Sequence, residues 1–472
     1  MNTKRFNGTK SFLKRFMMML LFSFSVIVVL SDELTYDAKV VLIVFLLTLI
    51  LWTGTRLPVG YVAIGSLLLL IFLNAAEQEL LYTSLSTEII WMLIGAYIIG
   101  EGFRSSGLSG RMTSFIIERA NHTQHILFYL LLALLPLSFI IPSTSGRAAI
   151  MQPIVKDISQ QLNSVREKEI LALFVPVIIL LTTSSTLLGA GSHLIGNELL
   201  EANGGERISY INWLIWGLPF SITIGLVAFI IFIIFFSRAL IYRKNKTTRI
   251  NKRSNPQPLM TIEKKTITIL TILIVLWVTE SYHQVDLGLI TMLGAFALMT
   301  PKYGVISWKK GLQSVSWNLI LFVASATALG KQLVETGAVH WIENGVFQLL
   351  QIFSFIPDGG LVAIMILIAI TSHLYITSHT TRAVILIPSI IMLSYSLQLE
   401  AQTMVFLSLI GMNYCLTFPV SSKALLIYFE DEGCRYNAKD LSKMNLILMP
   451  IYFLLMIIFL YTYWHWTGLT IS

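Results

Sequence analysis

Residues 142–153 read Pro142-Ser-Thr-Ser-Gly-Arg-Ala-Ala-Ile-Met-Gln-Pro153, and residues 377–388 read Thr377-Ser-His-Thr-Thr-Arg-Ala-Val-Ile-Leu-Ile-Pro388. At an offset of 235 the two stretches share Ser, Arg, Ala, Ile and Pro. Each is a polar tip between apolar runs, 124–141 and 148–162 around the first, 360–377 and 383–397 around the second. A weaker match precedes them: Gly107 in Ser-Ser-Gly-Leu-Ser pairs with Gly337 in Glu-Thr-Gly-Ala-Val at an offset of 230. Interruptions that recur in the same order mark a chain built from two copies of one unit.

The runs around the tips set the class. Of the 472 residues, 55% are hydrophobic and only 12% charged, against roughly a quarter charged in a soluble domain. The charges are also clustered: none falls between Arg207 and Arg238, between Glu169 and Glu198, or after Lys443. Each gap exceeds the roughly 20 apolar residues that cross a bilayer as a helix. The expected class is an all-α polytopic membrane protein. A net charge of +8 does not point to nucleic acid, because the basic residues lie in short loops, where they orient the chain and meet anionic lipid. Cys415 and Cys434 are the only cysteines, too few for a disulfide scaffold or a Cys-x-x-Cys metal site.

From the amino terminus, Lys4, Arg5, Lys10, Lys14 and Arg15 precede an apolar run at 16–30 and the acidic flank Ser31-Asp32-Glu33. With no small-x-small cleavage site, the run reads as a first membrane helix with its amino terminus inside. Further helices are expected at 39–54, 58–74 and 88–102, with an interfacial piece at 108–120 carrying Arg111, Glu118 and Arg119. The helix from 170 should break at 188–196 before a full span at 213–237. Residues 238–265 hold nine basic residues, one acid and two prolines, a hydrophilic linker between halves. The second half repeats the programme: helices at 266–279, 287–301 and 318–330, an interfacial piece at 338–351, the second hairpin, a helix at 403–418, a break at 419–423 and a span at 445–464. Trp464, His465 and Trp466 read as an aromatic belt.

If each tip is a re-entrant hairpin, the count is about eleven transmembrane helices, one at 1–37 and five in each of two repeats, 38–237 and 266–472, joined by the cytoplasmic linker 238–265. An odd number per repeat makes the repeats inverted. Charge supports this: 27 Lys and Arg fall inside, three outside (Lys39, Arg207, Lys331) and three at tips or breaks (Arg147, Arg382, Lys423).

A hairpin that stops within the bilayer leaves backbone groups unpaired, which is tolerated only beside protein or a cavity. Two such tips facing broken helices are the architecture of secondary transporters, where half-helix N–H groups hold an anion and unwound carbonyls hold Na⁺. Ser, Thr and Gly suit the task because they let the backbone approach and add hydroxyl oxygens.

Helix, interfacial helix, hairpin with a Ser-x-Thr-like tip and broken helix, occurring twice, resembles the divalent-anion:sodium symporter family of the ion-transporter superfamily. The likeness runs over nearly all the chain after about residue 40. In that family the tips read Ser-Asn-Thr and the breaks Thr-Pro-Pro-Asn-like, supplying Na⁺ and carboxylate ligands. By position, the first tip is Ser143-Thr144-Ser145 and its break Gly189-Ala190-Gly191-Ser192-His193; the second tip is Ser378-His379-Thr380 and its break Pro419-Val420-Ser421-Ser422-Lys423. The resemblance implies a carrier of small anions, di- or tricarboxylate or sulfate, in the cytoplasmic membrane, working by alternating access with Na⁺ symport. It also implies a homodimer with a scaffold and a moving transport domain. The implied substrate set is Ser143, Thr144, Ser145, Ala190, Ser378, His379, Thr380 and Ser422, to which Arg147 and Arg382 are added as ionisable residues within the membrane; the implied Na⁺ set is Ser143, Thr144, Gly189, Ser378, His379 and Ser421.

Both tip asparagines are replaced, by Thr144 and His379, and neither break keeps Pro-Pro-Asn. His379 and His193 titrate near physiological pH when unperturbed, so proton-coupled uptake and anion exchange stand beside Na⁺ symport. Arg147 and Arg382 can grip an anion in a bidentate fork; equally, each can bond helix carbonyls and pin its hairpin. A membrane enzyme is the rival from another class, but the chain carries no His-Glu-x-x-His and no Gly-x-Ser-x-Gly.

Overall fold

The computed structural model describes residues 23–55, 57–120, 122–162, 164–237, 258–339, 341, 357–376, 378–431 and 433–471. Residues 16–22 of the first apolar run, 238–257 of the linker and most of the expected interfacial piece after 339 lie outside them.

Every regular element among the described residues is a helix. The first half contains α1 (Tyr36–Gly54), α2 (Val59–Phe72), α3 (Glu88–Ser105), α4 (Leu108–Arg119), α5 (Thr123–Ile140), α6 (Thr144–Gln161), α7 (Val165–Leu181), α8 (Gly191–Ala202) and α9 (Tyr210–Phe235). The second contains α10 (Thr261–Val278), α11 (Leu287–Met299), α12 (Trp317–Glu335), α13 (Asp358–Thr371), α14 (His379–Ser396), α15 (Ala401–Asn413), α16 (Lys423–Phe429) and α17 (Ala438–Phe459). Among the described residues six helical stretches are long and apolar enough to cross a bilayer, and four further apolar helices are shorter. The protein is a multi-pass membrane protein.

Apolar character alone does not say which helices face lipid; packing does. On α7 every residue from Ile170 to Leu181 is buried, so its all-round hydrophobicity is that of a central helix. On α9, Ile222, Leu226, Ile230 and Ile234 form an exposed stripe at helical spacing, the side a bilayer covers.

The halves interlock by exchange. Helix α2 packs on α12 and α3 on α11, while α8 packs on α14 and α16 on α6. The segment after each break therefore rests against the hairpin helix of the other half. This exchange brings both tips and both breaks to one place.

Several boundaries differ from the sequence reading, some for a visible local reason. The first break begins at Thr182, not 188, because Thr182 Oγ1 and Thr183 Oγ1 donate to the carbonyls of Ile178 and Ile179 at 2.7 and 2.6 Å and Ser185 Oγ donates to Thr182 O at 2.9 Å. Hydroxyls that satisfy the last carbonyls compete with helix continuation. The second break likewise starts earlier, at Tyr414, and α16 resumes after Ser422. Helix α13 stops at Thr371 because Ser372 Oγ and His373 Nδ1 bond Ala369 O and Ile370 O at 2.6 and 2.7 Å. Helix α10 begins at Thr261, capped by Glu263 Oε2 accepting the Met260 N–H at 2.8 Å. The aromatic belt is also corrected: Trp464 is fully buried, its Nε1 donating to Trp216 O at 2.9 Å, whereas Trp466 is exposed.

Candidate substrate and ion site

The two tips are built alike atom by atom. Ser143 caps α6, its Oγ accepting the Gly146 N–H at 3.1 Å and bonding Ser145 Oγ at 3.0 Å. Ser378 caps α14, its Oγ accepting the Thr381 N–H at 3.3 Å and bonding Thr380 Oγ1 at 3.0 Å. Such caps satisfy one of the free N–H groups of a helix start. The breaks also correspond: Ala190 before α8 has φ −150° and ψ 147°, and Ser422 before α16 has φ −148° and ψ 143°.

Between these four segments lies a cavity of about 600 Å³. Of the residues named from sequence, Ser143, Thr144, Ser145, Ala190, Ser378, His379, Thr380 and Ser422 line it. Arg147, Arg382, Gly189 and Ser421 are not among its lining residues. The Gly189 carbonyl accepts from Arg147 Nη2 at 2.8 Å, and Ser421 Oγ accepts the Phe418 N–H at 3.1 Å.

Both arginines are fully buried behind their tips. Arg147 Nη2 also donates to Thr183 Oγ1 at 3.0 Å; Arg382 donates from Nη1 to Ser372 Oγ at 3.3 Å and from Nη2 to Cys415 Sγ at 2.7 Å. All these partners are neutral, so each guanidinium keeps its charge uncompensated by them while tying a hairpin to the break of its own half. His193 joins the two breaks, bonding Thr186 O through Nδ1 at 3.3 Å and accepting from Asn413 Nδ2 at 2.9 Å. It is a stacked structural residue, 4.5 Å from the Trp213 ring, outside the cavity lining.

Several lining residues were not named as ligands from the sequence. Ser192, Thr381, Tyr97, Ser316, Asn318 and Lys423 belong to the wall. Asn318 Oδ1 accepts the Gly60 N–H at 3.1 Å, joining α12 to α2. A Ser-x-Asn before an apolar helix was the available signal, but it is common at helix starts. Lys423 was the clearer one, a cation interrupting an apolar block. Among the described lining residues it is the one charged group, and none is acidic. Ser192 Oγ, Thr381 Oγ1 and His379 Nδ1 are buried beside the cavity without a hydrogen-bond partner.

At the far end of α6, Lys156 Nζ lies 2.7 Å from Asp431 Oδ2, in the loop after α16. Burial favours the neutral acid, but Lys156, the N–H groups of Gly433 and Cys434, and Gln152 outweigh it, holding the Asp431 carboxyl below the usual carboxylate range.

Comparison with known proteins adds to this geometry. The chain is 22% identical to a protein named only "Membrane protein" from Cupriavidus necator, covering 96% of this chain and 87% of the other. It is 22% identical to a citrate/succinate antiporter of Escherichia coli over 80% and 79% of the two chains. It is also 22% identical to a sodium-dependent dicarboxylate transporter of Staphylococcus saprophyticus over 87% and 83%. In fold it is similar to the crystal structure of the Alcanivorax borkumensis YdaH transporter, with a TM-score of 0.52 at 10% identity, covering 81% of this chain and 85% of that one. The family described as sodium:sulfate symporter transmembrane region matches residues 9–470; the chain belongs to that family, whose members are transporters and not enzymes.

Proposed function

We propose that the protein is a secondary transporter that carries small anions, di- or tricarboxylate or sulfate, across the cytoplasmic membrane by alternating access. One observation carries this reading: the polar side of the cavity between the tips is made mostly of hydroxyls, with Asn318, His379 and one lysine, Lys423, and with no acid among the described lining residues. A guanidinium lies buried behind each tip. Away from bulk water, fixed positive charge strongly favours an anion over a cation. The names of the relatives favour carboxylates. In this reading residues 38–237 and 266–472 are inverted repeats, the amino terminus is inside, and the working unit is a homodimer.

Na⁺ symport is the coupling that the family name suggests. A second reading, anion exchange, is favoured by the arginines. Ser143 Oγ, Ser378 Oγ, Ser421 Oγ and Gly189 O, four of the six expected Na⁺ ligands, already accept hydrogen bonds from the protein, and the donor to Gly189 is itself a cation. In exchange, the two guanidinium groups supply the positive charge that Na⁺ would bring, and a second anion drives the return.

Uptake of labelled succinate, citrate and sulfate into proteoliposomes tests both. Exchange requires internal anion and is indifferent to Na⁺. Accumulation driven by a Na⁺ gradient alone restores symport, and accumulation driven by a pH gradient alone makes the proton the coupling ion. Failure of all three anions under every gradient would sink the transport reading.

A further inference from the structure

Helix α4 is amphipathic, and between it, α5 and α10 runs a groove of about 720 Å³, separate from the cavity at the tips. Its walls are apolar, with Met112, Phe115, Leu132, Pro136, Ile267 and Ile274 among them. The charged residues among its described lining are Arg111 and Arg119, both cationic. They differ in state. Arg111 holds Glu263 in a fork, with Nε to Oε1 at 2.9 Å and Nη2 to Oε2 at 2.7 Å, fastening α4 to the start of α10. Arg119 is exposed, its guanidinium lying 4.1 Å above the Phe115 ring.

We propose that this groove is a binding site for an anionic glycerophospholipid, with an acyl chain along the apolar walls and the phosphate against Arg119. An interfacial helix places its polar side at headgroup depth and its apolar side in the acyl region, so groove and arginine match the two ends of one lipid. Residues 238–257 carry seven Lys and Arg, and the chain re-enters the described structure at Pro258, whose carbonyl accepts from Arg111 Nη2 at 3.1 Å. The linker itself does not suit the groove, since its cations would meet two arginines. A basic pocket beside membrane helices is the recognised setting for an acidic headgroup.

The test uses the full chain and does not depend on transport. The protein is purified from bilayers of phosphatidylcholine and phosphatidylglycerol in equal amounts, and retained lipid is counted by native mass spectrometry. Phosphatidylglycerol should be retained about fivefold over phosphatidylcholine, the selectivity of one surface cation. Arg119→Gln should bring the ratio to about one while lipid is still retained. Ala133→Trp and, from the opposite wall, Thr271→Trp should expel lipid of either kind. Equal retention by the wild type, an unchanged ratio in Arg119→Gln, or undiminished retention in both groove-filling variants overturns the proposal. So does stabilisation by soluble glycerol phosphate equal to that by the lipid, which would make the site one for a free phosphate ester.

Discussion

Arg147 Nη2 lies 2.8 Å from the carbonyl oxygen of Gly189, the last residue of a short 3-10 turn within the first break. Arg382 makes the equivalent bridge in the second half, to Cys415 just after α15. Each guanidinium thus braces a hairpin against the break of its own half, while α8 and α16 cross to the hairpins of the other half. The four segments around the cavity are held as one unit, with two buried positive charges behind its polar wall.

Separating the arginine's fork from its charge tests this arrangement. Arg147→Lys keeps a cation but cannot reach Thr183 and Gly189 with the same planar geometry. It should lower stability by about 1.5–3 kcal/mol, the range for hydrogen bonds to a charged group, with anion affinity within a few fold of wild type. Arg147→Met removes the charge as well and should weaken affinity further. Melting temperature and anion binding on the same purified samples separate the two effects. If Lys loses as much affinity as Met, the guanidinium touches the substrate directly.

Lys423 carries a different expectation because it lines the cavity. Lys423→Gln should weaken binding of a dianion about tenfold, near 1.4 kcal/mol, and of a monoanion less. Lys423→Arg should recover most of the loss. Equal effects on succinate and a monocarboxylate, measured by competition for uptake, would remove the lysine from substrate recognition.

What could be read beforehand follows from the physics of each feature. Long charge-free runs are required by the bilayer, so the class was visible from Arg207 to Arg238 alone. The repeated tips were visible because Ser143 and Ser378 must cap a helix inside the membrane, and few residue types can. The direction of the arginines was not visible. Whether Arg147 points into the cavity or back to Gly189 depends on where the first break begins, and that is decided by the hydroxyl run Thr182-Thr183-Ser184-Ser185-Thr186, whose bonds to the preceding carbonyls leave no periodic signal. Trp464 was misread for a similar reason. Its buried partner, the Trp216 carbonyl, lies 248 residues away.

The Asp431 bridge gives a pH dependence of known sign. Its carboxyl lies below the usual range in the fold, so the folded protein binds that proton less readily than the unfolded chain. The stabilisation is therefore present above the ordinary aspartate pKa of about 3.9 and is lost as pH falls through the folded value. Asp431→Asn should be less stable by a nearly constant amount from about pH 5 to 8, with the gap closing below about pH 4. A gap that widens on acidification would refute the assignment.

The geometry of the first break also makes a prediction about its glycines. A Cβ on Gly189 would overlap the Thr183 carbonyl oxygen, and one on Gly217 of α9 would overlap the carbonyl oxygen of Ser184. Both obstacles are backbone, so no side-chain rotation relieves them. The Ser184 carbonyl is also held by Trp213 Nε1 at 3.0 Å. Gly189→Ala and Gly217→Ala should each cost several kcal/mol, at or above the usual range of about 1–3 kcal/mol for overpacking, and each should shift the break that Arg147 clasps. Gly65 on α2 has nothing within 4 Å of its Cβ position. There alanine should be neutral or stabilise by up to about 1 kcal/mol, as expected in a helix interior. Melting temperatures of the three variants decide the matter. Wild-type stability in Gly189→Ala would mean that the break does not turn back on Thr183 as described, and the link from Arg147 to Gly189 would fall with it.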